Sequence, residues 1–305
     1  MTNQARTMTA VRLHRAGGAE ELALDRVEVP RPGAGEALVR VHAAAITRDE
    51  LDWPVDRLPA IPSYELSGTV EALGEGANGL TAGESVYALT GFDRDGVAAE
   101  YASVPAGFLA PKPRTLSHVA SAAIPLAGLS AWQGLFDHGR LQAGERVLIH
   151  GAAGGVGQFA TQLALWRGAR VIGTGSATSL DAVRELGAHE AVDRASGLDE
   201  LDPVDLVFDT VGGDTLARSP ALLRDGGRLV SVAEKPPATG DAIEASFFIV
   251  EPSRGQLLEL ARLADEGKLR PAIDSTFPLA DARAAFERVA APAKRGKVVL
   301  ELAHD

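Results

Sequence analysis

The chain has 305 residues, a formal net charge of −11, and 46% hydrophobic and 23% charged residues. This length suffices for one large or two ordinary domains, and the composition is typical of a soluble globular protein. The acidic balance argues against nucleic-acid and anionic-membrane partners, and the lack of cysteine excludes disulfides, thiolate metal sites and cysteine nucleophiles.

The expected location is the cytoplasm, with no membrane partner. No apolar run is long enough to span a bilayer, and the stretch "MTNQARTMTAVRL" lacks the apolar centre of a signal peptide.

The first part of the chain, residues 9 to about 122, is rich in short β-like runs. They read "TAVRL", "ALVRVHAAAI", "SGTVEAL", "ESVYAL" and "AAEYASV", and segments rich in proline and glycine separate them. This spacing predicts an antiparallel, barrel-like unit rather than a series of βαβ repeats.

From about Leu116 the pattern becomes helical, and from Arg146 apolar strands alternate with helices. Pro125 must interrupt or bend the alanine-rich helical segment that contains it. The predicted strands are "RVLIH", "RVIGT", "AVD", "LVFDTV", "RLVSV" and "SFFIV", and their alternation with helices predicts a parallel sheet. The chain then ends with a helix, a strand near "AIDSTFPL", a helix and a final strand "KVVLEL".

The stretch "VLIHGAAGGVGQFATQLA" has the pattern of a dinucleotide-binding turn. A predicted buried strand runs into "GAAGGVG", and a helix is expected from about Gly155. Small residues let a pyrophosphate approach the backbone, and the helix N-terminus offers unpaired N–H groups. Gly154 and Gly157 hold the second and third glycine positions, whereas Ala152 holds the first, where a methyl group requires a negative φ.

The second predicted strand ends in "VIGTGS", where an NAD-specific site has an acidic residue for the ribose 2′-hydroxyl. Gly175 stands at that position and Ser176 follows, so no carboxylate there repels a 2′-phosphate. Ser176, with Thr174, is expected to donate hydrogen bonds to the phosphate, and Arg194, after the third predicted strand, is the nearest plausible cation. This pattern favours NADPH. The alternative is that Gly175 is only a turn residue and Arg194 a solvated charge.

Motifs over nearly the whole of residues 9 to 302 resemble the zinc-independent quinone oxidoreductase branch of the medium-chain dehydrogenase/reductase superfamily. They include "AAIPLAGLSAWQGLF", "AGERVLIHGAAGGVGQFATQLA", "DLVFDTVGGDTL" and "RGKVVLEL". The resemblance implies an α/β fold: a GroES-like β-barrel substrate domain (residues 1–122 and 252–305) and a Rossmann doubly wound parallel-sheet cofactor domain (residues 123–251). It also implies a homodimer joined at the last sheet strand, Ser246–Val250, and it accounts for Ala152, because alanine is common at that position in this branch.

The resemblance also indicates candidate catalytic residues. Thr47 and Tyr64 stand where zinc-dependent relatives carry a cysteine and a histidine ligand, so no metal is expected. Tyr64 is expected to bond the substrate oxygen or deliver a proton, or else to be a packing aromatic. Asp49 aligns with a proton-relay position, or else caps the following turn. Trp53 lines the substrate pocket or belongs to the core.

The remaining predicted cofactor contacts are carried over from the family position by position. Ordinary packing at strand ends is their shared alternative. Including the turn, the predicted cofactor-binding residues are Ser130, Ala153, Gly154, Gly155, Val156, Gly157, Thr174, Gly175, Ser176, Arg194, Val211, Gly212, Phe247, Phe248, Ile249 and Lys297.

The favoured function is NADPH-dependent reduction of a quinone or an enone without metal. Such acceptors spread the developing negative charge by conjugation, so the protein has mainly to orient them and supply one or two hydrogen-bond donors. Two alternatives are a zinc-less enoyl-thioester reductase and a non-catalytic protein that senses the cofactor or binds nucleic acid. The acidic charge argues against nucleic acid.

Overall fold

The computed structural model describes residues 6–54, 57–239, 242–292 and 294–302. Its strands, in chain order, are β1 (Thr7–Leu13), β2 (Leu22–Glu28), β3 (Glu36–Ile46), β4 (Glu65–Leu73), β5 (Ser85–Leu89), β6 (Tyr101–Pro105), β7 (Ala110–Pro111), β8 (Arg146–His150), β9 (Arg170–Gly175), β10 (Glu190–Asp193), β11 (Val204–Asp209), β12 (Leu223–Ser231), β13 (Glu244–Phe247), β14 (Ile273–Pro278) and β15 (Lys297–Glu301). Its α-helices are α1 (His118–Ala122), α2 (Pro125–Trp132), α3 (Gly157–Arg167), α4 (Leu180–Glu185), α5 (Gly213–Arg218), α6 (Arg254–Asp265) and α7 (Ala282–Ala290).

The chain folds into two units. The first contains the described residues up to Leu126, Pro252–Glu266 and the described residues from Ile273 onward; the second contains Ala127–Glu251 and Gly267–Ala272. The domain limits drawn from the sequence, and the substrate and cofactor roles given to them, stay predictions. The outermost residues of those predicted domains lie outside the described part of the chain.

The first unit is built on a seven-stranded sheet in the order β14-β15-β3-β4-β5-β7, with β6 paired to β3. Its pairings are antiparallel except for the parallel pair β14–β15. A large apolar cluster fills this unit, with side chains from both ends of the chain, such as Val11, Val39 and Phe286. This is the mainly antiparallel β unit that the short β-like runs predicted, and it matches the GroES-like unit that the family resemblance implied.

The second unit contains a six-stranded, fully parallel sheet in the order β10-β9-β8-β11-β12-β13. Numbered from β8, this order is 3-2-1-4-5-6, the order of a Rossmann sheet, in which the connections reverse beside the first strand. The strands are short apolar runs such as "RVLIH", in which Val147, Leu148 and Ile149 are fully buried, as parallel strands covered on both faces require. The predicted α/β fold class is confirmed.

Several element boundaries differ from the sequence prediction, and three of them lie in the second unit near the predicted cofactor contacts. Helix α3 begins at Gly157 rather than near Gly155. Strand β11 ends at Asp209 because the Asp209 carboxylate accepts the N–H groups of Val211 and Gly212 and turns the chain. The predicted strand Ser246–Val250 is wrong in its second half, because β13 ends at Phe247.

Pro125 separates two helices, as predicted. It is the first residue of α2, where its missing N–H costs no helical hydrogen bond. A π-helical segment, Gln133–His138, continues α2. Within the described residues, no helix is long and apolar enough to cross a membrane. The cytoplasmic location stays a prediction.

Candidate functional site

The glycine-rich turn between β8 and α3 is shaped by close backbone contacts. Gly151 has a φ of +72°, the left-handed conformation that glycine adopts readily. A Cβ on Gly157 would lie 2.1 Å from the Gly151 carbonyl oxygen and 2.7 Å from Ala152 Cα, so this position accepts only glycine without movement of the helix. Ala152 itself is fully buried, and its N–H donates to the Thr174 carbonyl oxygen at 2.9 Å.

The same turn presents backbone donors. Within the described residues, no acceptor is found for four N–H groups, those of Ala153, Gly155, Val156 and Gly157. They lie at the N-terminal end of an 11-residue helix, where the helix dipole adds positive charge. The turn therefore has the small residues, donors and dipole that fit a dinucleotide pyrophosphate.

The end of β9 combines Gly175 with a cation. Gly175 is the last residue of β9, and its carbonyl oxygen accepts the N–H of Arg194 at 3.0 Å. Arg194 is exposed, and its guanidinium has no hydrogen-bond or ion-pair partner within the described residues. A carboxylate that was not predicted from the sequence also lies near this strand end. Asp193 is paired in register with Gly175, and its side chain accepts the N–H of Ala195 at 3.1 Å.

Thr174 does not offer its hydroxyl at this strand end. It is fully buried, and its Oγ1 lies 3.0 Å from Nδ1 of His150. The Ser219 hydroxyl donates to the Thr215 carbonyl oxygen, so His150 Nε2 must donate to Ser219 and Nδ1 must accept from Thr174. Burial lowers the pKa of His150 to about 4, consistent with this neutral ring. The Thr174 hydroxyl is therefore engaged inside the protein, and its contact with a phosphate stays a prediction.

Ser176 stays at the surface of the strand end. Its Oγ lies 3.1 Å from Thr178 Oγ1 and 3.3 Å from Ser179 Oγ, in the turn that follows β9. Of the two predicted hydroxyl donors, Ser176 is the one that is not fully buried, and its contact with the phosphate stays a prediction.

The predicted contacts near the nicotinamide are divided between exposed and packed positions. Val211 is 41% exposed and Ile249 is 68% exposed, so both present apolar surface. Phe248 is buried, and its ring stacks on His138 with centroids 4.3 Å apart. Ser130 is buried in α2. Phe248 therefore packs within the protein, which was the alternative to a cofactor contact. The predicted cofactor contacts themselves stay predictions.

In the first unit, the ends of three neighbouring strands bring together two candidate catalytic residues, Thr47 and Tyr64, and the predicted cofactor contact Lys297. Thr47 follows β3, Tyr64 precedes β4, and Lys297 begins β15. Because β3 pairs antiparallel with both β4 and β15, these positions lie side by side. Tyr64 is half-buried and packs against the rings of Trp53 and Phe92, at centroid distances of 5.9 Å and 5.1 Å.

Asp49 does not cap the turn with its side chain. It occupies the N-cap position of the short helical turn Glu50–Asp52, but its carboxylate makes no capping hydrogen bond. The neighbouring Glu50 is the residue that holds the backbone here. Its two carboxyl oxygens accept the N–H of Thr47 at 2.8 Å and that of Ser63 at 2.7 Å, which ties the end of β3 to the start of β4.

A buried pair of charged residues, Lys297 and Glu65, lies next to Thr47. Lys297 is 3% exposed and Glu65 is fully buried, with Nζ and Oε1 2.5 Å apart. The second Glu65 oxygen accepts the N–H of Leu126, in the first turn of α2, at 2.8 Å. Lys297 was predicted to contact the cofactor, but its ammonium instead contacts Glu65 and, at 3.5 Å, Thr47 Oγ1.

Glu50 and Glu65 are site residues that were not predicted from the sequence. Glu65 carries the clearer signal: it is the first residue of β4 and is followed by five uncharged residues, "LSGTV". Acids are seldom buried unless they are paired, so such a residue implies a partner elsewhere in the chain.

Zinc does not fit this arrangement. The two side chains at the expected ligand positions are a hydroxyl and a phenol. The two carboxyl groups nearby are already engaged, that of Glu65 with an ammonium and that of Glu50 with two backbone N–H groups. Zinc in proteins is held by thiolate, imidazole and carboxylate ligands. Within the described residues, no group of three or more histidine, aspartate or glutamate side chains is arranged to hold a metal ion.

Glu50 gives the protein a pH-dependent stability. Burial raises the pKa of Glu50 from 4.5 to about 8, against the opposing effect of two backbone N–H groups and Lys297. Between these values the folded protein keeps a proton that the unfolded chain releases, so the free energy of unfolding falls as the pH rises from about 4.5 to about 8. We expect Glu50→Gln to be less stable than the wild type at pH 5, and the difference to shrink towards pH 9. Urea unfolding of both proteins between pH 5 and pH 9 measures this difference in the free energy of unfolding. If the free energies of the two proteins changed with pH in parallel, the raised pKa of Glu50 would be contradicted.

Two family models match the chain: the alcohol dehydrogenase GroES-like domain over residues 33–114 and the zinc-binding dehydrogenase over residues 186–300. The chain is 30% identical to the quinone oxidoreductase of Mus musculus, over 99% of this chain and 100% of the mouse protein. It is 31% identical to the chloroplastic NADPH-dependent alkenal/one oxidoreductase of Arabidopsis thaliana, over 93% and 77% of the two chains. The structure of the quinone oxidoreductase from Coxiella burnetii superposes with a TM-score of 0.90, at 30% identity and over 98% and 100% of the two chains.

Proposed function

Because the chain belongs to the medium-chain dehydrogenase/reductase family, in its quinone oxidoreductase branch, we propose that this oxidoreductase uses NADPH to reduce a quinone or an α,β-unsaturated carbonyl compound without metal. The observation that carries the proposal is the donor set at the ends of β3 and β4. Thr47 and Tyr64 supply hydroxyl groups, with a buried ammonium behind them. These groups are suited to hydrogen bonding with an oxygen that gains negative charge, rather than to binding a metal.

The glycine-rich turn supports the cofactor part of the proposal. The four N–H groups for which the described residues supply no acceptor would bind the pyrophosphate, and Gly157 would keep α3 close to the turn. When bound, NADPH supplies the hydride. The residues of the chain hold and orient the acceptor, exclude water from it, and supply a proton.

A turnover assay tests this proposal. The purified protein is mixed with NADPH and, separately, a simple quinone, an alkenone and an enoyl thioester, and the loss of NADPH absorbance is followed. We expect turnover with the quinone or the alkenone, unchanged after prolonged treatment with a strong chelator. Turnover of the thioester alone would favour a thioester reductase. Binding of NADPH without any turnover would favour a sensing role, and activity lost with the chelator and restored by zinc would refute metal independence.

Gly175 and Arg194 support a preference for NADPH over NADH. A Cβ on Gly175 would meet Ser179 Oγ at 2.2 Å, so any side chain there displaces Ser179. Gly175→Asp and Gly175→Asn share this steric effect and differ in charge. We expect Asp to weaken NADPH binding at least roughly tenfold more than Asn does, because of repulsion of the 2′-phosphate, and to affect NADH much less. Fluorescence titration measures both cofactors, and tighter binding of NADH by the wild type would contradict the preference.

We also propose that the protein is a homodimer joined at β13. This strand lies at the edge of the parallel sheet, and Ile249 just beyond it is 68% exposed. An open apolar edge is a surface on which a second copy can pair, and a two-fold arrangement closes it. We expect Phe247→Lys and Ile249→Lys to weaken the dimer, and Leu24→Lys, at a 46% exposed residue on β2, to leave it intact. Light scattering measures the mass, and a wild-type value near the 31.7 kDa of one chain would rule out the dimer.

A further inference from the structure

The contact between Lys297 and Thr47 fixes the direction of a hydrogen bond. Val298 pairs with Ile46 in the β15–β3 ladder, which puts Lys297 beside Thr47. An ammonium group has donors and no acceptor. Thr47 Oγ1, at 3.5 Å from Lys297 Nζ, can therefore only accept, and its own hydrogen must point elsewhere.

The Thr47 hydroxyl is placed to donate to a molecule from outside the chain. Within the described residues, no acceptor for its hydrogen is found, and the side chain is only half-buried. The hydroxyl thus lies between a buried cation and accessible surface. A distance of 3.5 Å is long for a hydrogen bond, but catalytic hydrogen bonds often shorten when substrate binds.

Glu65 keeps the lysine in this position. Its carboxylate accepts hydrogen bonds from Lys297 Nζ and from the N–H of Leu126, so both oxygens are engaged. The ammonium is thereby held at the start of β15. Glu50 lies on the other side of Thr47, bonded to its backbone N–H. Burial raises the pKa of Glu50 to about 8, so at neutral pH the Glu65–Lys297 ion pair has no second full negative charge beside it.

We propose that the Thr47 hydroxyl is the proton donor to the substrate oxygen, and that Lys297, held by Glu65, is the positioning residue that orients this hydroxyl and restores its proton. The proposal rests on the function proposed above, because it specifies how the same site completes the reduction. It gives Lys297 a role in proton transfer and gives Glu65 a role in holding the lysine.

The step balances for an enone. The β-carbon gains a hydride, the carbon–carbon π pair moves to the bond beside the carbonyl, and the carbonyl π pair moves onto oxygen. The Thr47 O–H bond breaks as an O–H bond forms on the substrate, giving an enol. A Lys297 N–H bond then breaks as the Thr47 O–H bond re-forms, and the neutral amine regains a proton from the proton pool of the solvent, which supplies the one proton that the reduction consumes. The enol becomes the saturated ketone in water.

Two variants of Thr47 test the donor. Thr47→Val removes the hydroxyl at nearly the same volume, and Thr47→Ser keeps it. General acid catalysis typically contributes ~10²–10⁴-fold, so we expect Val to lower kcat for an alkenone about 100-fold and to change the solvent deuterium isotope effect on kcat. Ser should restore most of the activity. Reduction of a quinone should fall at least roughly tenfold less, because a hydroquinone anion is a weaker base than an enolate and needs the donor less.

A binding measurement tests the donor without turnover. The probe is 4-nitrophenolate, a stable aromatic oxyanion whose absorption shifts when it accepts a hydrogen bond, titrated into the protein in the presence of NADP⁺. We expect Thr47→Val to weaken phenolate binding about tenfold and Thr47→Ser to leave this binding intact. Lys297→Arg retains a cation beside Thr47 but does not release a proton at neutral pH. It should therefore keep phenolate binding while lowering alkenone turnover, a separation that a purely structural lysine would not produce.

The outcomes separate this proposal from the proposed function. If the wild type reduces neither quinone nor alkenone, the proposed function fails, and the phenolate titration still decides the role of Thr47. Phenolate binding and alkenone turnover that are unchanged in Thr47→Val would overturn the donor. Equal losses of phenolate binding and of alkenone turnover in Lys297→Arg would overturn the role of the lysine in proton transfer.

Discussion

Gly157→Ala is expected to abolish most of the NADPH affinity. The new methyl group would lie 2.1 Å from the Gly151 carbonyl oxygen and 2.7 Å from Ala152 Cα. Both are backbone atoms, so α3 must move away from the turn and its free N–H groups move with it. We expect NADPH to bind at least about 100-fold more weakly and the free energy of unfolding to fall by roughly 1–3 kcal/mol, as overpacking usually costs. Fluorescence titration and urea unfolding measure the two effects.

Gly255→Ala is the matched control for this substitution. Gly255 also lies in the first turn of a helix, α6, and a Cβ there would meet no atom within 4 Å. Alanine is a better helix former than glycine by up to ~1 kcal/mol. The control should therefore be as stable as the wild type or slightly more so, with unchanged NADPH binding. If Gly157→Ala behaved in the same way, the close approach of α3 to the turn would be disproved.

Lys297→Met is expected to be strongly destabilising. Lys297 is 3% exposed, and its removal leaves the fully buried Glu65 without its cation. Breaking a buried ion pair on one side typically costs ~3–5 kcal/mol, because the remaining charge stays buried and unpaired. Methionine fills a similar volume, so the loss reports charge rather than a cavity. Urea unfolding followed by circular dichroism measures it.

The double variant Lys297→Met/Glu65→Gln should recover part of this loss. Glutamine keeps a carbonyl oxygen for the N–H of Leu126 and carries no charge. A double-mutant cycle over the four proteins gives the coupling between the two positions. A double variant that is no more stable than Lys297→Met alone would show that the charge left on Glu65 is not the cause of the loss.

The sequence predicted what depends on local pattern. The strand–turn–helix around "GAAGGVG" could be read directly, because the need for small residues at a tight turn is a property of neighbouring positions. Likewise, the change from short β-like runs to alternating strands and helices predicted the two kinds of sheet. The end of β13 could not be read, because Phe248 leaves the strand to stack on His138, a residue more than 100 positions earlier in the chain.

The side-chain roles were predictable only in part. Val211 and Gly212 could be placed at a strand end. The hydroxyl of Thr174, however, was assigned to a ligand, whereas in the structure it bonds the buried ring of His150. The sequence shows that a threonine can donate a hydrogen bond. Which acceptor receives this hydrogen bond depends on the side chains that the fold buries beside the threonine.

By itself, the sequence determined the family, the Rossmann turn and the absence of thiolate chemistry, because each of these follows from residue types at short spacing. Only the tertiary structure decided that Glu65 and Lys297, 232 residues apart in sequence, form a buried pair behind Thr47. The pairing follows from strand order: β15 and β4 flank β3, so their ends meet at one point of the sheet. A buried charge is tolerated only with its partner, and which partner it has is fixed by the fold rather than by any local pattern.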